Sequence, residues 1–289
     1  MLAAARVTMT LLKLPIGLAI AASALIGMLA ADGALSPARG LFFALAVLGA
    51  SGAAGAFNHY HERALDRMMG RTKARPFAAG LLKPGAIWPV SFLALLAAAL
   101  MLAWAVGGGL AALLVFLGAF TYGVVYTVWL KRRSAWNIVV GGLAGSFAIL
   151  AGAAAVAPAL QPVPLILALV MFLWTPPHFW SLAAARAEDY RAAGVPMLPV
   201  VAPPRLWTPV ILGHSAVLAA LSLAPLWFGL GPVYGLFAGA GGGLFLWRSW
   251  RLFRSPGRAA AIANFTASLW QFALLATGVL LDALVQGAF

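Results

Sequence analysis

The sequence predicts an all-α protein threaded repeatedly through a lipid bilayer, with about nine transmembrane helices. Three observations predict it. The chain is 64% hydrophobic and 9% charged, with a mean hydropathy of +0.98 over 289 residues, far from the composition of a water-facing domain. Its apolar residues form long continuous runs rather than alternating, which selects helices over barrel strands. Its cations cluster at alternate gaps between those runs, as the positive-inside bias requires.

At about 20 apolar residues per crossing, nine runs can be drawn: 14–31, 38–57, 85–106, 109–129, 136–157, 163–183, 207–227, 233–250 and 263–285. Arg6 and Lys13 precede the first. That run leads into an acid and a Pro-containing gap with no small-residue cleavage site, so it reads as a span and not a removed leader. The cluster from Arg63 to Lys83 follows the second run, and Lys131, Arg132 and Arg133 follow the fourth. Arg186, Arg191 and Arg205 follow the sixth, and Arg248, Arg251, Arg254 and Arg258 mark the end of the eighth. Only Arg39 falls on the other side. The N-terminus and every even-to-odd gap are therefore expected in the cytoplasm and the C-terminus outside, in an inner (cytoplasmic) membrane. Runs one to four and five to eight each place acids after their second helix and bases after their fourth, which suggests two four-helix halves plus one, within a single domain over 1–289. The net charge of +13 is spent on this topology, so the expected partner surface is lipid and not nucleic acid. The absence of cysteine excludes disulfides and thiolate metal sites.

The acids carry the most information. Of six, Glu62 and Asp66 form one group and Glu188 and Asp189 another, each at the cytoplasmic end of a run. Asn58, Glu62 and Asp66 are spaced i, i+4, i+8, so a continuing helix stacks three oxygen-bearing side chains on one stripe. Such donors suit Mg²⁺, which takes one or two carboxylates together with substrate phosphates. Arg71, Lys73 and Arg75 in the same gap, with Lys131 and Arg132 after the fourth run, provide cations for a diphosphate. A helix end at a membrane face commonly carries mixed charge, and Glu62 could simply pair with Arg63 or Arg67. Two separate acid groups on one face favour function, because acids near membrane depth are costly. His59 and His61 flank the stripe and are expected at the interface. His178, in "WTPPHFWSLA", is either bonded to a neighbouring helix or a ligand, and His214 is expected to be structural.

"NHYHERALDRMMGRTKARP", from Asn58 to Pro76, resembles the N-x-x-x-[DE]-x-x-x-D…M-x-R-T-x-x-R-P motif of the UbiA-type intramembrane prenyltransferases. "YTVWLKRRSAWNIVVGG" (Tyr126 to Gly142) and "WTPPHFWSLAAARAEDYRAAGVPMLPVV" (Trp174 to Val201) are similar to segments of the haem-farnesylating branch of that family. The three segments span about half the chain. The middle acid is Glu62 where Asp is frequent, residue 64 is alanine where many members carry Asp, and "SFAILAG" follows Gly145 where a Pro-Pro turn is common. The first two departures leave the stripe intact, and the third alters the haem-facing side.

The resemblance implies farnesyl transfer from farnesyl diphosphate to a vinyl group of haem b, giving haem O. It implies two Mg²⁺ ions, one on Asn58, Glu62 and Asp66 and a second on Asp189 with Glu188. Substrate contacts are expected from Arg71, Lys73, Arg75, Lys131, Arg132, Asn137, His178, Arg186 and Tyr190, and a haem A synthase is an expected neighbour. Two other readings are weighed: a prenyltransferase of the same fold with a quinone-precursor or other aromatic acceptor, and an ion-coupled transporter. A transporter needs charges at the midplane and broken helices in corresponding halves, whereas the paired acids here share one face.

Overall fold

The computed structural model describes residues 2–33, 36–157 and 161–287, and among them every regular element is helical. The outward gap expected at Pro158 and the C-terminal Phe289 lie outside these residues. In chain order the elements are α1 (Leu2–Leu11), α2 (Leu14–Leu29), α3 (Pro37–His61), α4 (Arg63–Arg67) and α5 (Ile87–Phe120). A π-helix (Thr121–Leu130), α6 (Asn137–Gly141), α7 (Leu143–Val156), α8 (Pro162–Ala185), α9 (Ala187–Ala192) and α10 (Leu198–Val201) follow. α11 (Pro204–Leu221), a 3₁₀ turn (Ala224–Phe228), α12 (Pro232–Arg254) and α13 (Arg258–Val285) complete the fold. Proline opens α2, α3, α8, α11 and α12, where its missing N–H costs no intrahelical bond.

By length and composition, six segments can cross a bilayer, or seven if α1 and α2, bent by 55°, count as one. The difference from the expected number has identifiable causes. α12 is diluted by glycines and by Arg248, Arg251 and Arg254 near its end. Ile87–Leu130 counts once although it holds 44 residues, about 66 Å of helix against a hydrocarbon core of about 30 Å. That run reverses inside. Gly108 has φ 83° and ψ 178°, a conformation open to glycine alone. Phe92 on one side of it packs near Tyr60, and Gly123 on the other lies against Ala54 and Phe57. Gly107, at the far tip, abuts Phe43 and Ala155. The two arms thus return to the same end of α3.

The buried residues form two cores that divide the chain differently from the expected halves, because α7, the fifth run, packs into the first and α13, the ninth, completes the second. α2, α3, α5 and α7 enclose one around Phe43, Val47, Ala103 and Ala151. α8, α11, α12 and α13 enclose the other around Leu167, Leu218, Tyr234 and Val279, with Ile26 and Ile149 contributing from α2 and α7. α2 and α7 join them at a backbone-to-backbone crossing. A Cβ on Gly27 would meet the Ile149 carbonyl oxygen at 1.9 Å, and one on Gly152 would meet that of Ala24 at 1.8 Å. Small residues serve this purpose in membranes, where close approach and not water expulsion drives association. A buried chain of hydrogen bonds, Ser215–Ser249–Asn264–Ser181, ties α11, α12, α13 and α8 together. Asp282 is structural: buried in α13, it accepts bonds from the N–H groups of Gly231 and Tyr234. This supplies α12 with a cap from another helix, in the sense its N-terminal dipole favours.

Candidate active site

Helix α3 outruns its apolar stretch by a turn, and this extension carries Asn58. It ends at Glu62, whose φ of −88° and ψ of 8° leave the helical region, and α4 resumes at once. The backbone bonds Glu62 N–H to Asn58 O and Asp66 N–H to Glu62 O persist at 2.9 and 2.8 Å. The i, i+4, i+8 stripe therefore forms across the break, and Asn58, Glu62 and Asp66 are all buried.

Each of the three meets a cation. Lys131 Nζ donates to Glu62 Oε2 at 2.5 Å, and Arg75 Nη1 donates to both Asp66 oxygens at 2.9 and 3.0 Å. Lys13 Nζ donates to Asn58 Oδ1 at 2.6 Å and to the Tyr122 hydroxyl at 2.6 Å. These are charge-assisted bonds, the strong kind. The two lysines are held alike, with Lys13 Nζ 5.3 Å from the centre of the Tyr122 ring and Lys131 Nζ 5.7 Å from that of Tyr126. Both tyrosines belong to the π-helix and stack at 5.9 Å. Its wider winding, with bonds reaching back five residues as from Lys131 N–H to Tyr126 O, brings residues four apart nearer to one line. Such insertions concentrate at functional sites.

Lys13 was legible only as a topology mark. Its place here depends on the bend between α1 and α2, where it adopts the left-handed conformation, φ 50° and ψ 46°. Among the described residues no other non-glycine has a positive φ, and such strain characteristically accompanies function.

The second acid group lies at the same end. Gly70 N–H donates to Asp189 Oδ1 at 3.3 Å, and a Cβ at Gly70 would fall 3.3 Å from that oxygen. Glycine thus admits the carboxylate against the turn that follows Asp66. Tyr190 is buried beside it. Burial pushes its phenol above the ordinary range, with the Arg71 guanidinium pulling the other way. Arg71, Lys73, Arg132, Arg186 and Glu188 are exposed around this cap. Asn137 is spent on shape: its Nδ2 donates to the carbonyls of Ser134 (2.7 Å) and Lys131 (3.2 Å), fixing the turn that holds Lys131, while its buried Oδ1 is left without a partner.

His59 departs from expectation. It is buried, not interfacial, because α3 is enclosed at this level by α1, α2, α5 and the π-helix; His61 is exposed. His214 is structural as expected, its Nδ1 bonded to Val210 O at 2.8 Å. His178 lies in mid-bundle on α8, stacked on Trp174 at 4.1 Å and bonded through Nδ1 to Ser268 Oγ at 2.6 Å. Ser268 Oγ donates its own proton to Phe265 O at 2.6 Å. The serine must therefore accept from His178, which fixes the proton on Nδ1 and leaves a lone pair on Nε2.

The donor set fits Mg²⁺. It consists of hard oxygens, two carboxylates and an amide on successive turns, with a further carboxylate at Asp189. Among the described residues no group of three or more His, Cys, Asp or Glu can hold a metal by itself. An ion that keeps waters and shares substrate phosphate oxygens suits such a partial set.

The described helices form an apolar bundle with helices long enough to cross a membrane and with acids and bases gathered at one end, an arrangement suited to holding a charged group beside a bilayer. The UbiA prenyltransferase family signature matches residues 20–276, and the chain belongs to that family. It is similar to Protoheme IX farnesyltransferase 2 of Paramagnetospirillum magneticum, 55% identical over 283 residues that cover 98% of each chain. Among solved structures it resembles a digeranylgeranylglyceryl phosphate synthase, with TM-score 0.79 and 16% identity over 97% of this chain and 98% of that one. It also resembles a UbiA homologue from Archaeoglobus fulgidus bound to GPP and Mg²⁺, with TM-score 0.70 and 17% identity over 93% and 99%.

Proposed function

We propose that this chain transfers the farnesyl group of farnesyl diphosphate to a vinyl group of haem b and adds water, giving haem O. The observation that carries the reading is the rank of three cation–oxygen pairs, Lys13–Asn58, Lys131–Glu62 and Arg75–Asp66. It provides metal ligands and diphosphate cations in one buried row. The relative named for protohaem farnesylation supports the acceptor, and the GPP and Mg²⁺ of the Archaeoglobus fulgidus homologue support the donor and the metal.

In this reading Asn58, Glu62 and Asp66 hold one Mg²⁺, and Asp189 with Glu188 a second. The metals supply charge neutralisation for the diphosphate. Lys13, Arg75 and Lys131 turn from the stripe to the diphosphate oxygens, and Arg71, Lys73, Arg132 and Arg186 line the approach. The allylic C–O bond breaks with its electron pair leaving on the diphosphate, and the vinyl carbon forms the new C–C bond. Water then adds to the cation beside the porphyrin and loses a proton. Preorganised charge of this kind is usually the largest catalytic term, and the apolar helices keep bulk water from the farnesyl cation. The single domain crosses the inner membrane nine times, with the charged mouth on the cytoplasmic side. The test is to express the chain with a farnesyl supply and analyse the extracted haems. A species heavier than haem b by one farnesyl group and one hydroxyl is expected, and haem b alone would overturn the reading.

His178 orients the haem, its Nε2 lone pair facing the iron while Ser268 holds Nδ1, the outer-shell arrangement that metal-binding histidines favour. His178→Ala should weaken haem binding, read from a Soret titration, by about tenfold or more on the scale of such ligand losses. Farnesyl diphosphate binding should be unchanged. Unaltered haem affinity would leave His178 as a packing residue.

A further inference from the structure

The four arginines at the end of α12 and the start of α13 have no part in the proposed chemistry, yet they are not scattered. Arg248, Arg251, Arg254 and Arg258 line one cleft of about 800 Å³, together with Trp250 and the small residues of the intervening turn. Among the described residues no carboxylate forms an ion pair with any of them, since both ion pairs lie at the active site. Three of the guanidinium groups are placed by tryptophan: Arg248 and Arg251 lie 4.3 and 5.5 Å from the Trp247 ring centre, and Arg254 lies 5.8 Å from that of Trp250. Both tryptophans are about half exposed on the outer face of α12. Exposed tryptophan marks the depth of the lipid headgroups, so the arginines are held at that depth and face outward. The inner side of the same turn packs on the active-site cap, where Leu252 and Ala261 share a buried cluster with Met69 and Tyr190. The cleft therefore lies at the charged mouth, the end expected to meet the anionic leaflet.

We propose that this cleft is a binding site for the headgroup of an anionic phospholipid. Arginine bonds phosphate oxygens in a fixed fork, and basic pockets between membrane helices at this face suit anionic headgroups. Positive-inside topology alone requires cations in the gap, but not a shared concave site or tryptophans that fix their heads.

Purified full-length protein in detergent can be titrated with short-chain phosphatidylglycerol, short-chain phosphatidylcholine and inorganic phosphate, with lipid retention also read by native mass spectrometry. Wild type should bind phosphatidylglycerol at least tenfold tighter than either other probe. Arg251→Gln with Arg254→Gln should weaken that binding about 30-fold, the change carried by two cations at a membrane surface. Farnesyl diphosphate binding should be unaltered. Trp247→Leu, which keeps every charge, should weaken phosphatidylglycerol binding by a smaller factor. An exposed arginine outside the cleft, changed in Arg6→Gln, should have no effect. Equal binding of phosphatidylglycerol and phosphatidylcholine would overturn the proposal. So would phosphate binding as tight as lipid, displacement of the lipid by haem b, or an equal loss in Arg6→Gln.

Discussion

Asp66→Asn should lower turnover about 10²–10³-fold, on the order of 3–4 kcal/mol, the usual cost of removing one electrostatic stabiliser of a transition state. The substitution keeps size and one acceptor oxygen but removes the charge that faces Arg75 and that, in the proposed reading, serves the metal. The interaction matters most as charge builds on the departing diphosphate, so the loss falls on kcat and not on haem affinity. Glu62→Asp keeps the charge and shortens the arm, and should be far milder. Combining Glu62→Gln with Asp66→Asn should cost less than the sum of the two, as for residues serving one ion. Steady-state product formation at limiting Mg²⁺ reads the result, with elution as a single folded species as the control. Wild-type turnover in Asp66→Asn under those conditions would reduce the stripe to a charged helix end.

Lys13→Gly should cost about 10²-fold in kcat/KM while sparing the fold. The lysine occupies a left-handed conformation that costs an L-residue about 1–2 kcal/mol and glycine almost nothing. Part of that relief is offset by the greater freedom of glycine in the unfolded chain, so the backbone change by itself should move the melting temperature little. What disappears is the ammonium that bonds Asn58 and Tyr122; bonds to charged groups contribute about 1.5–3 kcal/mol each. Lys13→Arg restores a cation and should recover part of the activity. Turnover within twofold of wild type in Lys13→Gly would remove the residue from the diphosphate site. A large fall in melting temperature would instead assign it to the α1–α2 bend.

The sequence made the stripe legible because helical spacing is local: Asn58, Glu62 and Asp66 line up on periodicity alone, and the small break at Glu62 does not disturb them. Their cations were less accessible. Arg75 shares the loop, and Lys131 belongs to a basic run, so both were candidates. Lys13 reaches Asn58 across 45 residues through a 55° bend, and no local pattern announces a bend at a lysine. Burial was the other blind spot. His59 follows Asn58 directly, and its enclosure depends on how many helices surround α3, which hydropathy does not record. The same reason hid Asp282, an acid in an apolar run whose partners are backbone N–H groups of the preceding helix. Gly108 was foreseen as a boundary between runs, since a glycine triplet punctuates the pattern whatever the tertiary fold.

The crossing of α2 and α7 bears on how any mutational survey of this protein should be scored. Gly27 and Gly152 touch no proposed substrate atom, yet each lies against a carbonyl of the opposite backbone, where one added carbon overlaps an oxygen that has no rotamer to yield. A screen that reads only haem O output would rank these two glycines with Asp66 and draw the catalytic map too wide. The amount of folded protein recovered from membranes separates the two kinds of defect: a lost charge leaves it intact, whereas a forced crossing depletes it.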